Sequence, residues 1–369
     1  MIRWLVALLL LVLLAITGIF VVYNYDSGGK RLKKETCVAM IMRGAKNDRS
    51  WNEAHYEALK RVAGRLNLEV TYYENTPADS TAYNIMEKAV ANGAEIVIAN
   101  SFDFGAATIS VAKKHPKVKF LHASGVRSAS NLSTYFGRVY QMRYLSGIVA
   151  GLMTKTNEIG YIAAFKIPEV VRGIDAFALG VQKVNPQAKV YVGWSYSWSD
   201  ESMSADATQK LLKKHHIDVL TAHLDALSPF EIAEEKGVWI IGYNMDNSSL
   251  FPTRFLTAPV WHWENFYETQ IRNIISGNFV SHKYWLGMES GAVDLAPLSK
   301  QVGDSVAQIV KMEKERLARN QRDVFWGPIV DDHGNLRVEK GECIPDEDLL
   351  EHFDWYVKGV YDGFKSQKY

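Results

Sequence analysis

Cysteine is nearly absent from this chain. It has two, Cys37 and Cys343, among 369 residues. No Cys/His spacing of the kind that holds zinc is present. An excess of one charge is missing too. Lys and Arg number 42 against 41 Asp and Glu, a formal net charge of +1. Nothing in that balance points to nucleic acid or a polyanion as partner. The basic stretches "KRLKK" and Lys213–Lys214 are too small for a nucleic-acid footprint. Catalytic and cofactor templates also fail: there is no G-x-S-x-G elbow, no P-loop, no G-x-G-x-x-G and no H-E-x-x-H. His215–His216 closes a polar helix and is expected to face solvent. These absences argue against an enzyme, a cofactor and a metal.

What is present is apolar bulk. Hydrophobic residues make up 47% of the chain, enough for a large core, and the length suits two domains. After Arg3 comes "WLVALLLLVLLAITGIFVVY", Trp4 to Tyr23, an export segment long enough to span a bilayer. No small-x-small cleavage site and no lipobox follow it. A cleaved signal and an uncleaved anchor therefore both stand. The patch Lys30 to Lys34 would lie on the exported side, which disfavours the anchor. Either way, residues 1–35 read as signal or anchor plus linker. The rest is expected in the periplasm or on the extracytoplasmic face. In that oxidising compartment a pair of cysteines invites a disulfide between Cys37 and Cys343; two buried thiols are the alternative.

From residue 36 onward, apolar runs rich in β-branched and aromatic residues recur every 25 to 30 residues or so. They include "CVAMIM", "LEVTYYE", "EIVIANS", "VKFLHAS", "EIGYIAAF", "AKVYVGWSY", "IDVLTAH" and "VWIIGYN". Stretches with helical spacing lie between them. Trp51 to Leu66, for example, keeps Ala54, Ala58, Val62 and Leu66 on one face. Asn92–Gly93 and Lys236–Gly237 supply helix stops. Strands alternating with helices predict an α/β fold with parallel sheets covered on both faces. The strands are too many for one sheet, so two doubly wound lobes are expected, with a break near residues 132–139. The chain crosses between them more than once. We assign residues 36–135 and 251–285 to lobe 1, residues 136–250 and 286–345 to lobe 2, and residues 346–369 to a C-terminal helix.

In open parallel sheets, ligands bind beyond the carboxyl ends of the strands, and two facing lobes place that site in the cleft between them. The strand ends then supply candidates. After the first strand come Asp48, Trp51 and Asn52; Asp48 or Ser50 could equally cap the next helix. Later ends offer Phe102, Asp103 (again a candidate cap), Gly125, Phe165, Glu169, Trp198, Asp225, Asp246 and Trp261. Aromatic rings mixed with carboxyl and amide groups suit a flat ligand with hydrogen-bonding edges. Core packing is the plainer reading for any single ring.

The pattern D-x-S-[FW]-N-x-x-x-Y-x-[AG] at Asp48–Ala58 resembles the opening motif of the basic membrane protein family, the PnrA-like purine nucleoside-binding components of ABC transporters. Further segments agree: "YLSGIVAGLMTKTNEIGYIAAFKIPEVVRGIDAFALG", "AEEKGVWIIGYNMD", "RFLTAPVWHWENFY" and "GPIVDDHGNLRVEKGE". The likeness covers nearly all of residues 36–363. It implies a type I periplasmic-binding fold: two Rossmann-like lobes joined by a multi-strand hinge, with a purine held between aromatics. It also implies that Trp51 stacks on the base and that Asp246 meets the ligand. Relatives that bind nucleosides carry a lysine where this sequence has Trp261, a departure that favours a free, adenine-like base over its nucleoside. The missing lipobox is a second departure.

The reading that follows is a solute-binding protein of an ABC uptake system, monomeric, delivering a purine base or nucleoside to a membrane permease. A membrane-anchored sensor of the same fold and a binder of another small ligand, such as a sugar, are the alternatives.

Overall fold

The computed structural model describes residues 35–319 and 322–364. The proposed export segment lies outside them. Among the described residues no helix is long and apolar enough to cross a membrane.

Two six-stranded sheets organise the chain. The first contains β1 (Thr36–Ile41), β2 (Leu68–Tyr73), β3 (Ile96–Ala99), β4 (Lys119–Ala123) and β5 (Leu132–Gly137). The second contains β6 (Glu158–Ala163), β7 (Lys189–Trp194), β8 (Val219–His223), β9 (Trp239–Ile241) and β10 (Phe255–Thr257). Beyond these come β11 (Pro259–Trp261), β12 (Lys283–Leu286), β13 (Val293–Leu295), the hairpin β14 (Ile329–Val330) and β15 (Leu336–Val338), and β16 (Val360–Asp362). The orders are β12-β5-β4-β3-β1-β2 and β10-β9-β8-β6-β7-β16. In the first sheet, β1–β3, β3–β4, β4–β5 and β5–β12 run parallel. Every pairing in the second is parallel. Central strands such as "IVIA" are buried at every position, as helices on both faces require.

The chain passes between the sheets three times: after β5, between β10 and β12, and between β12 and β16. β11 and β13 pair antiparallel along these crossings. Two helices meet in the middle, α4 (Tyr140–Met153) and α5 (Pro168–Val184). A Cβ on Gly147 would fall 2.0 Å from the Phe177 carbonyl oxygen, and one on Gly180 would fall 2.0 Å from that of Tyr144. Only glycine allows so close an approach. Before them come α1 (Trp51–Leu66), α2 (Ser80–Ala91) and α3 (Gly105–Lys114). After them come α6 (Glu201–Lys214), α7 (Ser228–Lys236), α8 (Trp263–Ile275) and α9 (Asp304–Ala318). α8 returns to lobe 1 and lies against α1, where Arg65 and Glu268 pair at 2.7 Å.

Four expectations need correction. Residues 251–285 do not all join lobe 1, because β10 extends the second sheet beside β9. Over its described residues the C-terminal segment is not one helix: residues 348–352 form one wide turn, and β16 then pairs with β7. Gly359, at φ +92°, turns the chain, and the β-branched and aromatic Val360 and Tyr361 suit the sheet edge. No disulfide joins Cys37 and Cys343. The Cys37 thiol, at the start of β1, lies 3.4 Å from the Glu69 carboxylate, while Cys343 bridges Trp326 near the other end of the chain. His216 is exposed, but His215 stacks on Tyr191 with ring centres 3.8 Å apart and bonds the Gly363 carbonyl through β16's continuation.

Candidate functional site

The parallel sheets of both lobes end at one cleft of about 620 Å³, within the range of small-molecule sites. Lobe 1 contributes the loop after β1, the turn after β3 and Ser124 after β4. Lobe 2 contributes the segments after β6, β7, β8 and β9. Four non-glycine residues of this lining take the left-handed backbone region: Asn75 (φ +52°), Ser124 (φ +55°), Tyr196 (φ +55°) and Asn244 (φ +66°). Such conformations cost about 1–3 kcal/mol each and gather where function demands them.

The β1 loop is held by Asp48. Its carboxylate accepts from the backbone N–H of Ser50, Asn52 and Glu53 at 2.9–3.0 Å and from Asn52 Nδ2 at 2.7 Å. Asp48 is thus the cap of α1, and Ser50 makes no side-chain cap bond. Asn52 is also spent on structure: its Oδ1 accepts from Gly44 N and Asn100 Nδ2. Asp103 caps nothing; Ser101 accepts its N–H, and its carboxylate faces Arg43 at 3.5 Å.

Because Ser50 is free of capping, its hydroxyl reaches lobe 2 and donates to Asp225 Oδ1 at 3.0 Å. Asn244 Nδ2 donates both to Ser50 Oγ and to Asp225 Oδ1, each at 2.9 Å. Trp261 Nε1 donates to Asn244 Oδ1 at 2.7 Å and fixes its orientation. A clasp between the lobes therefore runs through Trp261, Asn244, Asp225 and Ser50. Burial, followed by the nearby Asp48 charge, pushes the Asp225 carboxyl up to about 8. Burial also raises Glu169, opposed by the Arg172 charge and the Ser124 hydroxyl.

Trp51 stands at the start of α1 with its indole N–H on the Asn100 carbonyl at 2.6 Å. It lines the cleft, yet its ring also meets Trp261 and Trp263 edge-on at 5.4 and 5.9 Å. From lobe 2, Phe165 and Trp198 present rings to the same cleft, edge to face at 5.5 Å from each other. The cleft can thus offer aromatic surface from both lobes and carboxyl groups between.

Of the residues read from the sequence, Asp48, Trp51, Asn52, Phe102, Asp103, Phe165, Glu169, Trp198 and Asp225 line this cleft. Gly125 does not; the lining stops at Ser124, and a Cβ on Gly125 would meet the His122 ring at 2.3 Å. Trp261 lies one layer behind, buried and stacked on Trp263 at 4.7 Å. Asp246 is exposed, its carboxylate closing a turn with Ser248 N, because β9 ends at Ile241 and the chain has left the cleft by then. Tyr243 and Asn244 take the place expected for it, with His223 behind the end of β8. Proximity to the strand end was the available signal for both, since they come before Asp246 along the chain.

The chain belongs to the PnrA-like family of ABC transporter substrate-binding proteins, whose model matches residues 35–321. It is 33% identical to a purine-binding protein of Brucella abortus over 337 residues, 91% of this chain and 95% of that one. It is 30% identical to a protein of Haloferax volcanii over 335 residues, 91% of this chain and 83% of that one; the name of that relative assigns it, provisionally, to glucose binding in an ABC transporter. A solute-binding protein of an ABC transporter system from Conexibacter woesei shares the fold, with a TM-score of 0.65 at 21% identity, over 78% of this chain and 98% of that one. The fold is thus that of type I periplasmic-binding proteins, and the family is one of binding proteins, not enzymes, acting outside the cytoplasm with a membrane permease as partner.

Proposed function

We propose that this protein binds a purine, an adenine-like free base in preference to its nucleoside, in the interlobe cleft and presents it to the permease. The observation that carries the reading is the lining. Trp51 comes from lobe 1 and Phe165 and Trp198 from lobe 2, with Asp225, Glu169 and Asn244 around them. Rings cover the faces of a flat heterocycle, and carboxyl and amide groups meet the N–H and ring-nitrogen edge. The Brucella relative, named for purine binding, supports the same class. The Haloferax relative keeps a sugar as the competing ligand. Trp261 favours the free base, because behind Asn244 a buried indole stands where nucleoside-binding relatives carry a lysine.

A thermal-shift series with adenine, hypoxanthine, their nucleosides, ribose and glucose tests this. A ligand that binds only the folded state raises the melting temperature with concentration. The bases should raise it more than the nucleosides do. A shift with glucose or ribose and none with any purine overturns the reading.

A further inference from the structure

At the back of the cleft, and running behind it, is a short row of polar groups to which the clasp and the rings give no role. The imidazole of His223, 1% exposed, sits between two tyrosine hydroxyls. Its Nε2 is 2.9 Å from the Tyr243 oxygen, and its Nδ1 is 3.3 Å from the Tyr161 oxygen. Tyr243 and His223 line the cleft; Tyr161 is fully buried behind them. The Arg143 guanidinium lies 3.9 Å from the centre of the Tyr243 ring and 5.3 Å from that of Tyr161. It donates to Thr221 Oγ1 and the Ala222 carbonyl on β8, so its position is fixed. Burial, with the charges of Arg143 and Arg172, holds the His223 imidazole neutral, well below its ordinary pKa. Glu169, the nearby carboxyl group, is 3.9 Å from Nε2, beyond hydrogen-bond reach.

A neutral imidazole has one N–H and one lone pair, and a hydroxyl both donates and accepts. Two arrangements therefore satisfy the row. In the first, Tyr161 donates to Nδ1, Nε2–H donates to the Tyr243 oxygen, and the Tyr243 proton is left to point into the cleft. In the second, Nδ1–H donates to Tyr161, Tyr243 donates to Nε2, and a Tyr243 lone pair faces the cleft. Going from one to the other moves one proton between the ring nitrogens and turns two hydroxyls. No proton enters or leaves. A protonated imidazole, with two donors and no acceptor, would donate to both tyrosine oxygens and leave Tyr243 a donor to the cleft alone.

We propose that Tyr161, His223 and Tyr243 form a reversible relay through which Tyr243 meets the ligand as donor or as acceptor, so that the site takes both 6-amino and 6-oxo purines. The two classes present opposite donor and acceptor order along the edge that includes position 6 and N1. A fixed donor would select one class; a hydroxyl that turns matches either. The proposal rests on the purine reading above. Tyr243 is the contacting residue in it, and His223 and Tyr161 are positioning residues.

The test is ¹⁵N NMR of histidine-labelled protein loaded with adenine and then with hypoxanthine, with the His223 resonances assigned from a His223→Gln variant. The relay predicts opposite His223 tautomers in the two complexes. The same tautomer in both, with both bases bound, overturns it. Calorimetry on Tyr243→Phe adds a second check, since the ring stays on Arg143 and only the hydroxyl is lost. Affinity for both bases should fall about two- to tenfold, the effect of one hydrogen bond. Unchanged affinity for both overturns the contact. If neither base binds the wild-type protein, the ligand class itself has failed and the relay falls with it, a result distinct from two bound bases sharing one tautomer.

Discussion

Trp51 serves two ends at once. Its ring faces the cleft, while its edge contacts and its bond to Asn100 tie it to the aromatic group of Trp261, Trp263 and His55. Base stacking on an aromatic is worth about 1–3 kcal/mol by alanine substitution. Trp51→Ala should therefore weaken purine binding by roughly five- to 150-fold. It should also lower the melting temperature of the ligand-free protein, because the packed edge is lost as well; titration calorimetry and a thermal melt read the two effects separately. Affinity retained in the folded fraction would make the residue a packing element alone. Asp246→Ala, by contrast, should leave binding unchanged, since that carboxylate only closes an exposed turn; a large loss by calorimetry would restore it to the site. At this scale the strand-end rule was a good guide where a strand leads straight into the cleft, as at Phe165 and Asp225. It failed for Asp246 because two residues of drift past Asn244 carry a chain out of the cleft. Roles were less legible than places. The sequence offers Asp48 as a cap beside Ser50 without choosing between them, and it does not show that Asp225 accepts from Ser50 of the other lobe and from Asn244 of its own.

Elements were the most legible level, since period and helix stops are local properties. α1 runs over Trp51–Leu66 as its spacing predicts, with Ala54, Ala58 and Val62 buried. Gly237, at φ +72°, ends α7 where a stop was expected. The C-terminal strand β16 was not legible because three residues carry little periodic signal and their partner β7 is far away in sequence. The contact of α4 with α5 is also long-range, and it gives an element-scale prediction. Gly147→Ala would drive a methyl group into the Phe177 carbonyl. Overpacking of this kind costs about 1–3 kcal/mol. The midpoint of guanidinium unfolding should fall accordingly, with purine affinity preserved in the folded protein. An unchanged midpoint would mean that the helices separate freely.

The whole molecule is two lobes held by crossing chains and by the clasp at Ser50, Asp225 and Asn244. Which sheet receives β10 was not legible, because lobe membership depends on pairings that no local pattern encodes. The clasp gives a pH dependence with a definite sign. Asp225 has its carboxyl pKa raised in the folded protein, from an ordinary 3.8 to about 8. The folded state therefore holds a proton that the unfolded chain releases near pH 4. The stability this supplies is complete below pH 4 and is lost as pH rises toward 8, by up to about 1.4 kcal/mol per pH unit. Melting temperatures across that window should fall less steeply in Asp225→Asn than in the wild type; parallel slopes would remove Asp225 from the linkage. A purine bound between the lobes remains the central claim, and it is tested most directly by titrating the protein with adenine and with glucose in a calorimeter. The account predicts saturable one-to-one binding of adenine, with a negative heat-capacity change from buried apolar surface, and no heat of binding with glucose. Saturable binding of glucose with none of adenine would contradict it.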